Sequence, residues 1–210
     1  MKKPLIVIFL VLLLDQFSKI LVKTTMAIGE AIPVLGKWFY ILFIENNGMA
    51  FGWEISGAQW GKIFLSLFRI AAVIFLFWLL FKLVKKNVKF GPLFGIALII
   101  AGALGNIIDG MFYGLIFDYA GFMQGRVVDM LYFPLFTFPE WVPFFGGEIF
   151  FSPVFNVADS AITIGIFYLI IFQWSFIRNF ESIIGVEKQD GKLIFNSFNT
   201  KEESRRGLNL

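Results

Sequence analysis

Asp129 and Asp159 are the residues of this chain best suited to chemistry. Asp159 lies in Phe155-Asn156-Val157-Ala158-Asp159-Ser160, at the mouth of an apolar run from Ala161 to Trp174. A carboxyl at the end of a membrane helix is costly unless it has a partner or a task. Asp129, in Gly125-Arg126-Val127-Val128-Asp129-Met130, is the obvious partner. Two carboxyls brought close cannot both ionise cheaply, so they hold one proton near neutral pH and titrate as a pair. The ionised member can take a proton from water while the protonated member polarises a carbonyl. That is peptide hydrolysis without histidine, cysteine or metal. The chain requires such economy: it has His 0 and Cys 0, which excludes Ser-His and Cys-His catalysts, the usual zinc sites and disulfides.

Such carboxyls need apolar elements to carry them. Of 210 residues, 58% are hydrophobic and 16% charged, with mean hydropathy +0.79, a membrane composition. The net charge of +3 is too small to argue for nucleic acid. The pattern predicts an all-α membrane fold with four transmembrane helices, at about 4–22, 61–84, 92–113 and 156–177. The first resembles a signal peptide's charged start and apolar core, but Asp15-Gln16-Phe17-Ser18-Lys19 follows in place of a cleavage pattern, so it reads as uncleaved. Between the first and second spans, residues 23–60 are broken by glycines. Their aromatic, β-branched run Trp38–Ile44 predicts a small β-rich segment at the membrane surface. Residues 114–155 read as a long interfacial loop, rich in Phe, Pro and Gly, whose 131–151 section suits an amphipathic lid.

Lys2, Lys3, Lys82, Lys85, Lys86, Lys89 and the basic residues of the tail mark one side of the membrane as cytoplasmic. Both termini are then cytoplasmic, residues 23–60 and 114–155 extracytoplasmic, residues 1–180 one domain and 181–210 a cytoplasmic tail. Arg69 lies about 12 Å inside the second span at roughly 1.5 Å per residue, a depth that calls for an anion or a wet cavity.

This topology brings the polar residues to one depth. Asp15 and Lys19, four apart, share a face of the first helix. Asn106 and Asp109 share a face of the third, beside small residues (Ala101-Gly102-Ala103) that admit a neighbouring helix. Asn156 and Asp159 open the fourth, and Asn46 and Asp129 lie in the outer segments. Taken singly, the Asp15–Lys19 pair is a simple ion pair, Asn106 is interhelical glue and Asn46-Asn47-Gly48 is a turn. Arg126 reads equally as a substrate clamp or a solvated loop charge. Eight polar groups converging from separate segments form a site.

At these residues the chain resembles the lipoprotein signal peptidase (signal peptidase II) family. Five blocks match in order: Asp15-Gln16-x-x-Lys19, Asn46-x-Gly48-x-Ala50-Phe51, Gly102-Ala103-Leu104-Gly105-Asn106-x-x-Asp109, Val127-Val128-Asp129 and Phe155-Asn156-x-Ala158-Asp159-Ser160. The resemblance implies a four-helix intramembrane aspartic endopeptidase of the bacterial inner membrane, working near the extracytoplasmic face as a monomer without cofactor or metal. It would cut diacylglyceryl-modified prolipoproteins on the amino side of the lipidated cysteine and would be the target of globomycin-type antibiotics. It assigns catalysis to Asp129 and Asp159, and site support to Asp15, Lys19, Asn46, Gly48, Asn106, Asp109, Asn156 and Ala158.

Two departures stand out. The family usually has arginine directly after the position of Asp109, where this chain has Gly110; Arg126 and Arg69 are the candidate replacements. The dyad spacing, 129 to 159, is also longer than expected for the family. Rival readings are a small transporter or proton-coupled channel using the membrane carboxylates, a Ser/Lys peptidase drawing on Ser18, Ser160, Lys19 or Lys62, and a purely structural membrane protein. Transport is disfavoured by the clustering of carboxylates at one interface and by the lack of an internal repeat.

Overall fold

The computed structural model describes residues 1–46, 58–184, 186–189 and 192–195. Among the described residues, three helices are long and apolar enough to cross a membrane. These are α1 (Lys2–Thr25), α2 (Ala58–Lys85, apolar over 66–85) and α3 (Phe90–Ile108), which a π-helical turn, Asp109–Tyr113, prolongs to Ile116. A shorter apolar helix, α4 (Val157–Phe172), packs beside them.

α3 is the axis of the bundle. About two-thirds of its apolar stretch is buried, against about a fifth in α1 and α2. Its small residues explain the position. A Cβ on Gly102 would meet the Ala158 carbonyl oxygen of α4 at 2.2 Å, and one on Gly165 of α4 would meet the Gly95 carbonyl oxygen at 2.8 Å. The two backbones touch because neither helix has a side chain there. Leu80 and Leu83 of α2, Ile8 of α1 and Ile96, Ala97, Ile100 and Ala101 of α3 form the core at the other end.

A four-stranded antiparallel sheet caps the opposite end, in the order β1 (Ala31–Leu35), β2 (Phe39–Asn46), β3 (Val127–Tyr132), β6 (Val154–Phe155). A separate hairpin, β4 (Phe136–Thr137) and β5 (Ile149–Phe150), rises between β3 and β6. The 114–155 segment is therefore not the unbroken loop that its Phe/Pro/Gly content suggested. Val127–Tyr132 is β-branched and apolar, and β2 offers it an open edge. The strand closes with Glu45 opposite Val128 and Ile44 opposite Asp129. Val127 to Met130 are buried on both faces, which hides the alternation that normally reveals a strand.

The fourth apolar helix is also shorter than the predicted 156–177. It ends at Phe172, Gln173 leaves the helical conformation, and α5 (Trp174–Arg178) and α6 (Phe180–Ile184) follow. Phe180, Ile183 and Ile184 pack against the core, so the packed unit extends past the 180 boundary into the expected tail. Beyond it, β7 (Val186–Gln189) and β8 (Lys192–Phe195) form a small hairpin.

Candidate active site

The site forms where β3, the C-terminal half of α3 and the first turn of α4 meet. Asn156 caps α4: its side chain accepts from the Asp159 N–H at 2.9 Å, and the Asp159 Oδ2 accepts from the Asn156 N–H at 3.4 Å. This reciprocal box orients Asp159 before the helix begins. The same asparagine reaches across to β3, donating its Nδ2 to Asp129 Oδ1 at 2.7 Å. One amide thus touches both halves of the pair. The Asp129 carboxylate also accepts from Asn46 Nδ2 at 3.2 Å, and Asp159 Oδ1 accepts from Asn106 Nδ2 at 2.8 Å.

The two carboxyls differ in setting. Asp129 is buried, whereas Asp159 is half-buried and lines a cavity of about 450 Å³ with Phe151, Phe155, Ser160, Thr163 and Ile164. Burial first, and then the charge of Asp159, push the Asp129 carboxyl up to about 7, against the lowering effect of the Asn46 and Asn156 hydrogen bonds and of Lys19. A carboxylic acid that keeps its proton near neutral pH beside a second, water-facing carboxyl is the arrangement used for general acid–base hydrolysis.

Behind the pair lies a fully buried ionic cluster. Lys19 Nζ sits 2.9 Å from Asp15 Oδ2 and 2.8 Å from Asp109 Oδ2, and it donates to Asn106 Oδ1 at 3.0 Å. Asp15 Oδ1 accepts the Ala158 N–H at 2.8 Å, fastening α1 to the first turn of α4, and Asp109 Oδ2 accepts the Val128 N–H at 3.3 Å, fastening α3 to β3. Gly105 makes room for this: a Cβ there would lie 2.4 Å from Asp15 Oδ2. Among the described residues every buried side-chain nitrogen and oxygen has a hydrogen-bond partner.

The structure thus brings Asp15, Lys19, Asn46, Asn106, Asp109, Asp129, Asn156, Ala158 and Asp159 into one network. Gly48 lies outside the described residues. Arg126 is not part of the network. Its guanidinium donates to Glu45 Oε2 at 3.1 Å and lies over the Tyr119 ring, with 46% of its side chain exposed. Glu45 also pairs with Lys23, so Arg126 belongs to a second ionic cluster, apart from the dyad. Arg69 of α2 is half-buried and lies in the electrostatic field of Asp159 and Asp109. A Cβ on Gly110 would face Ser66 Oγ, one turn before Arg69, at 3.8 Å, so α2 borders the position where the family carries its arginine.

Gln16 is a site residue that sequence reasoning left unassigned. Its Nε2 donates to Asp109 Oδ1 at 2.9 Å, Asp15 Oδ2 at 3.1 Å and the Gly105 carbonyl at 3.2 Å, while its Oε1 accepts from the Tyr113 hydroxyl at 3.2 Å. Its place beside Asp15 in the first matching block was the available signal. Tyr113 gave none, because a buried tyrosine among 29 phenylalanines reads as core.

The chain is also similar to known proteins over most of its length. The sequence pattern of the family described as Signal peptidase (SPase) II matches residues 7–175. The lipoprotein signal peptidase of Porphyromonas gingivalis is 49% identical over 184 residues, covering 78% of this chain and 79% of the relative. That of Amoebophilus asiaticus is 36% identical over 174 residues, covering 77% and 73%. A bacterial membrane enzyme solved by the in meso method at 2.3 Å resolution superposes with a TM-score of 0.58 at 27% identity, over 85% of this chain and 92% of that one.

Proposed function

This chain belongs to the signal peptidase II family, and from that premise we propose that Asp129 and Asp159 are its catalytic dyad. Family membership makes it an aspartic peptidase of bacterial membranes that removes signal peptides from lipid-modified prolipoproteins. The bond cut is the one on the amino side of the diacylglyceryl cysteine. The observation that carries the assignment is the asymmetry of the pair. Asp129 is enclosed and raised to about 7, while Asp159 opens on the cavity.

In the mechanism, the Asp129 carboxylic acid donates its proton toward the scissile carbonyl oxygen while the Asp159 carboxylate takes a proton from the attacking water. The resulting tetrahedral diol collapses as the leaving nitrogen gains a proton, releasing the signal peptide as a carboxylic acid and the lipidated cysteine with a free amine. Asn156 fixes the relative orientation of the two acids, and Asn46 and Asn106 fix their outer oxygens. Asp15, Lys19, Gln16 and Asp109 hold α1, α3, α4 and β3 in register beneath the dyad. Arg126 stays at the rim, and Gly48, outside the described residues, keeps the supporting role that the family resemblance implies for it.

The chain spans the membrane four times, α4 with its continuation being the fourth span, with both termini cytoplasmic and the dyad near the extracytoplasmic face. It acts as a monomer without cofactor, meets its substrate helix from within the bilayer, and is open to globomycin-type inhibitors at the dyad.

The test is cleavage of a diacylglyceryl-modified prolipoprotein by purified wild type, Asp129→Asn and Asp159→Asn, with mass determination of both products. Wild type should release the intact signal peptide and leave cysteine as the new amino terminus, while both variants stay folded and inert. Cleavage by both variants would remove the dyad from the mechanism.

A further inference from the structure

The segment between β3 and β6 has no part in the site's hydrogen bonding, yet it is ordered in detail. The Leu135 N–H donates to the Phe150 carbonyl, Phe138 exchanges bonds with Glu148 and Gly147, and the Gly146 N–H closes the turn on the Val142 carbonyl at 2.9 Å. Phe136 stacks on Phe150 at 4.8 Å, and Phe138 meets Phe136, Phe145 and Phe150 edge-on or tilted. A Cβ on Gly146 would strike the Glu140 carbonyl oxygen at 2.5 Å, so the turn is built to be tight.

This well-made hairpin turns its apolar side chains outward. Trp141 at its tip is 81% exposed and Phe144 98%, and Leu135, Phe136, Phe145, Ile149, Phe150 and Phe151 are also exposed. Phe144 adopts φ +67°, the left-handed region that a bulky residue rarely occupies. The strain is tolerated in a position that leaves the ring almost wholly exposed. From 133 to 153 the only charged residues are Glu140 and Glu148. A contiguous aromatic patch of this kind marks an interaction surface, and its lack of basic residues argues against one that attracts anions.

The patch is continuous with the lipid-facing surface. Phe151 meets Phe155 edge-on at 6.1 Å, Phe155 stacks on Phe133 at 5.7 Å, and Phe133 stacks on Phe39 at 4.6 Å beside Trp38. In the other direction Phe151 and Phe155 share the Asp159 cavity with Ile164, which is exposed on the apolar face of α4 along with Phe167 and Ile171. Tryptophan and other aromatic side chains at the end of a membrane bundle belong to the headgroup layer.

We propose that the hairpin from Phe136 to Phe150 is a membrane-embedded keel. It inserts Trp141 and Phe144 into the bilayer surface beside α4 and so holds the Phe151–Phe155 wall of the Asp159 cavity at headgroup depth. Its ligand is the lipid surface itself, engaged through apolar contact rather than headgroup charge, and it is engaged whether or not substrate is present.

The chain has no cysteine, so single labels are unambiguous. Phe144→Cys and, separately, Trp141→Cys would carry an environment-sensitive fluorophore in full-length protein reconstituted into phosphatidylcholine vesicles, with Leu13→Cys on the exposed face of α1 as the lipid-embedded control. The keel predicts blue-shifted emission at both tip positions, protection from aqueous iodide, and stronger quenching by spin labels near the headgroup than deep in the acyl chains. It also predicts the same result when phosphatidylglycerol replaces part of the phosphatidylcholine. Water-like emission with free access to iodide, while Leu13→Cys is quenched by lipid, would overturn it. So would a tip that leaves water only after a lipid-modified prolipoprotein is added, which would make the hairpin a substrate dock. No cleavage is read, so the outcome is independent of the peptidase assignment.

Discussion

Two sets of aspartates lie within one network here, and they are held by different chemistry. Asp15 and Asp109 flank a lysine, fully buried with it between α1 and α3. Asp129 and Asp159, among the described residues, take their direct hydrogen bonds from amides: Asn46, Asn106, the side chain of Asn156 and its backbone N–H. An amide orients a carboxyl through a single hydrogen bond, whereas Lys19, at 2.9 Å from Asp15 and 2.8 Å from Asp109, ties two helices together through ion pairs. In the proposed mechanism the first set is scaffolding and the second exchanges protons. The same residue type serves both ends because its partners differ.

The largest effect belongs to the dyad: Asp129→Asn or Asp159→Asn should lower turnover by about 10²–10⁴-fold or more, as expected for loss of a general acid or base, with stability within about 1 kcal/mol of wild type. Lys19→Met should do the reverse. It leaves two carboxylates buried without their cation, at a cost of about 3–5 kcal/mol seen in thermal unfolding, and residual activity should track the folded fraction. Gly102→Ala sets a methyl against the Ala158 carbonyl, and denaturant titration should show a loss of about 1–3 kcal/mol as α3 and α4 part.

The smallest effect is the most discriminating. Asp129 ionises at about 7 in the folded chain, above its ordinary 3.8, so its neutral form favours folding. That contribution is complete below 3.8 and is lost as pH rises through about 7. Activity that needs the protonated acid should fall over the same interval. Asn46→Ala removes a hydrogen bond that favours the ionised form, so the alkaline limb of kcat/KM should move upward by about 0.4–1 pH unit.

The legibility of these features in the sequence followed their physical origin. The long spans were readable because α1, α2 and α3 are apolar over whole membrane-crossing lengths, and Asp129 and Asp159 stood out as partners because an acid beside such a run needs a reason. β3 was hidden because a strand buried on both faces lacks alternation, and because its partner β2 lies more than 80 residues earlier. Gln16 and Tyr113 were hidden because their work is done across helices, through partners that a linear reading does not juxtapose. Arg126, three residues from Asp129 in sequence, turns outward to Glu45, a direction that its place in the chain does not reveal. The keel hairpin was visible as excess aromatic sequence, but its outward-facing tip required the fold.

The division between scaffold and dyad is tested most directly by measuring cleavage rate and thermal unfolding together, at pH 8, for Asp109→Asn and Asp129→Asn. Asp129→Asn should be inert yet as stable as wild type, because the buried carboxyl it removes is unfavourably ionised at that pH. Asp109→Asn should unfold at a markedly lower temperature while its folded fraction still cuts. An active Asp129→Asn, or an Asp109→Asn that keeps full stability and loses all turnover, would contradict it.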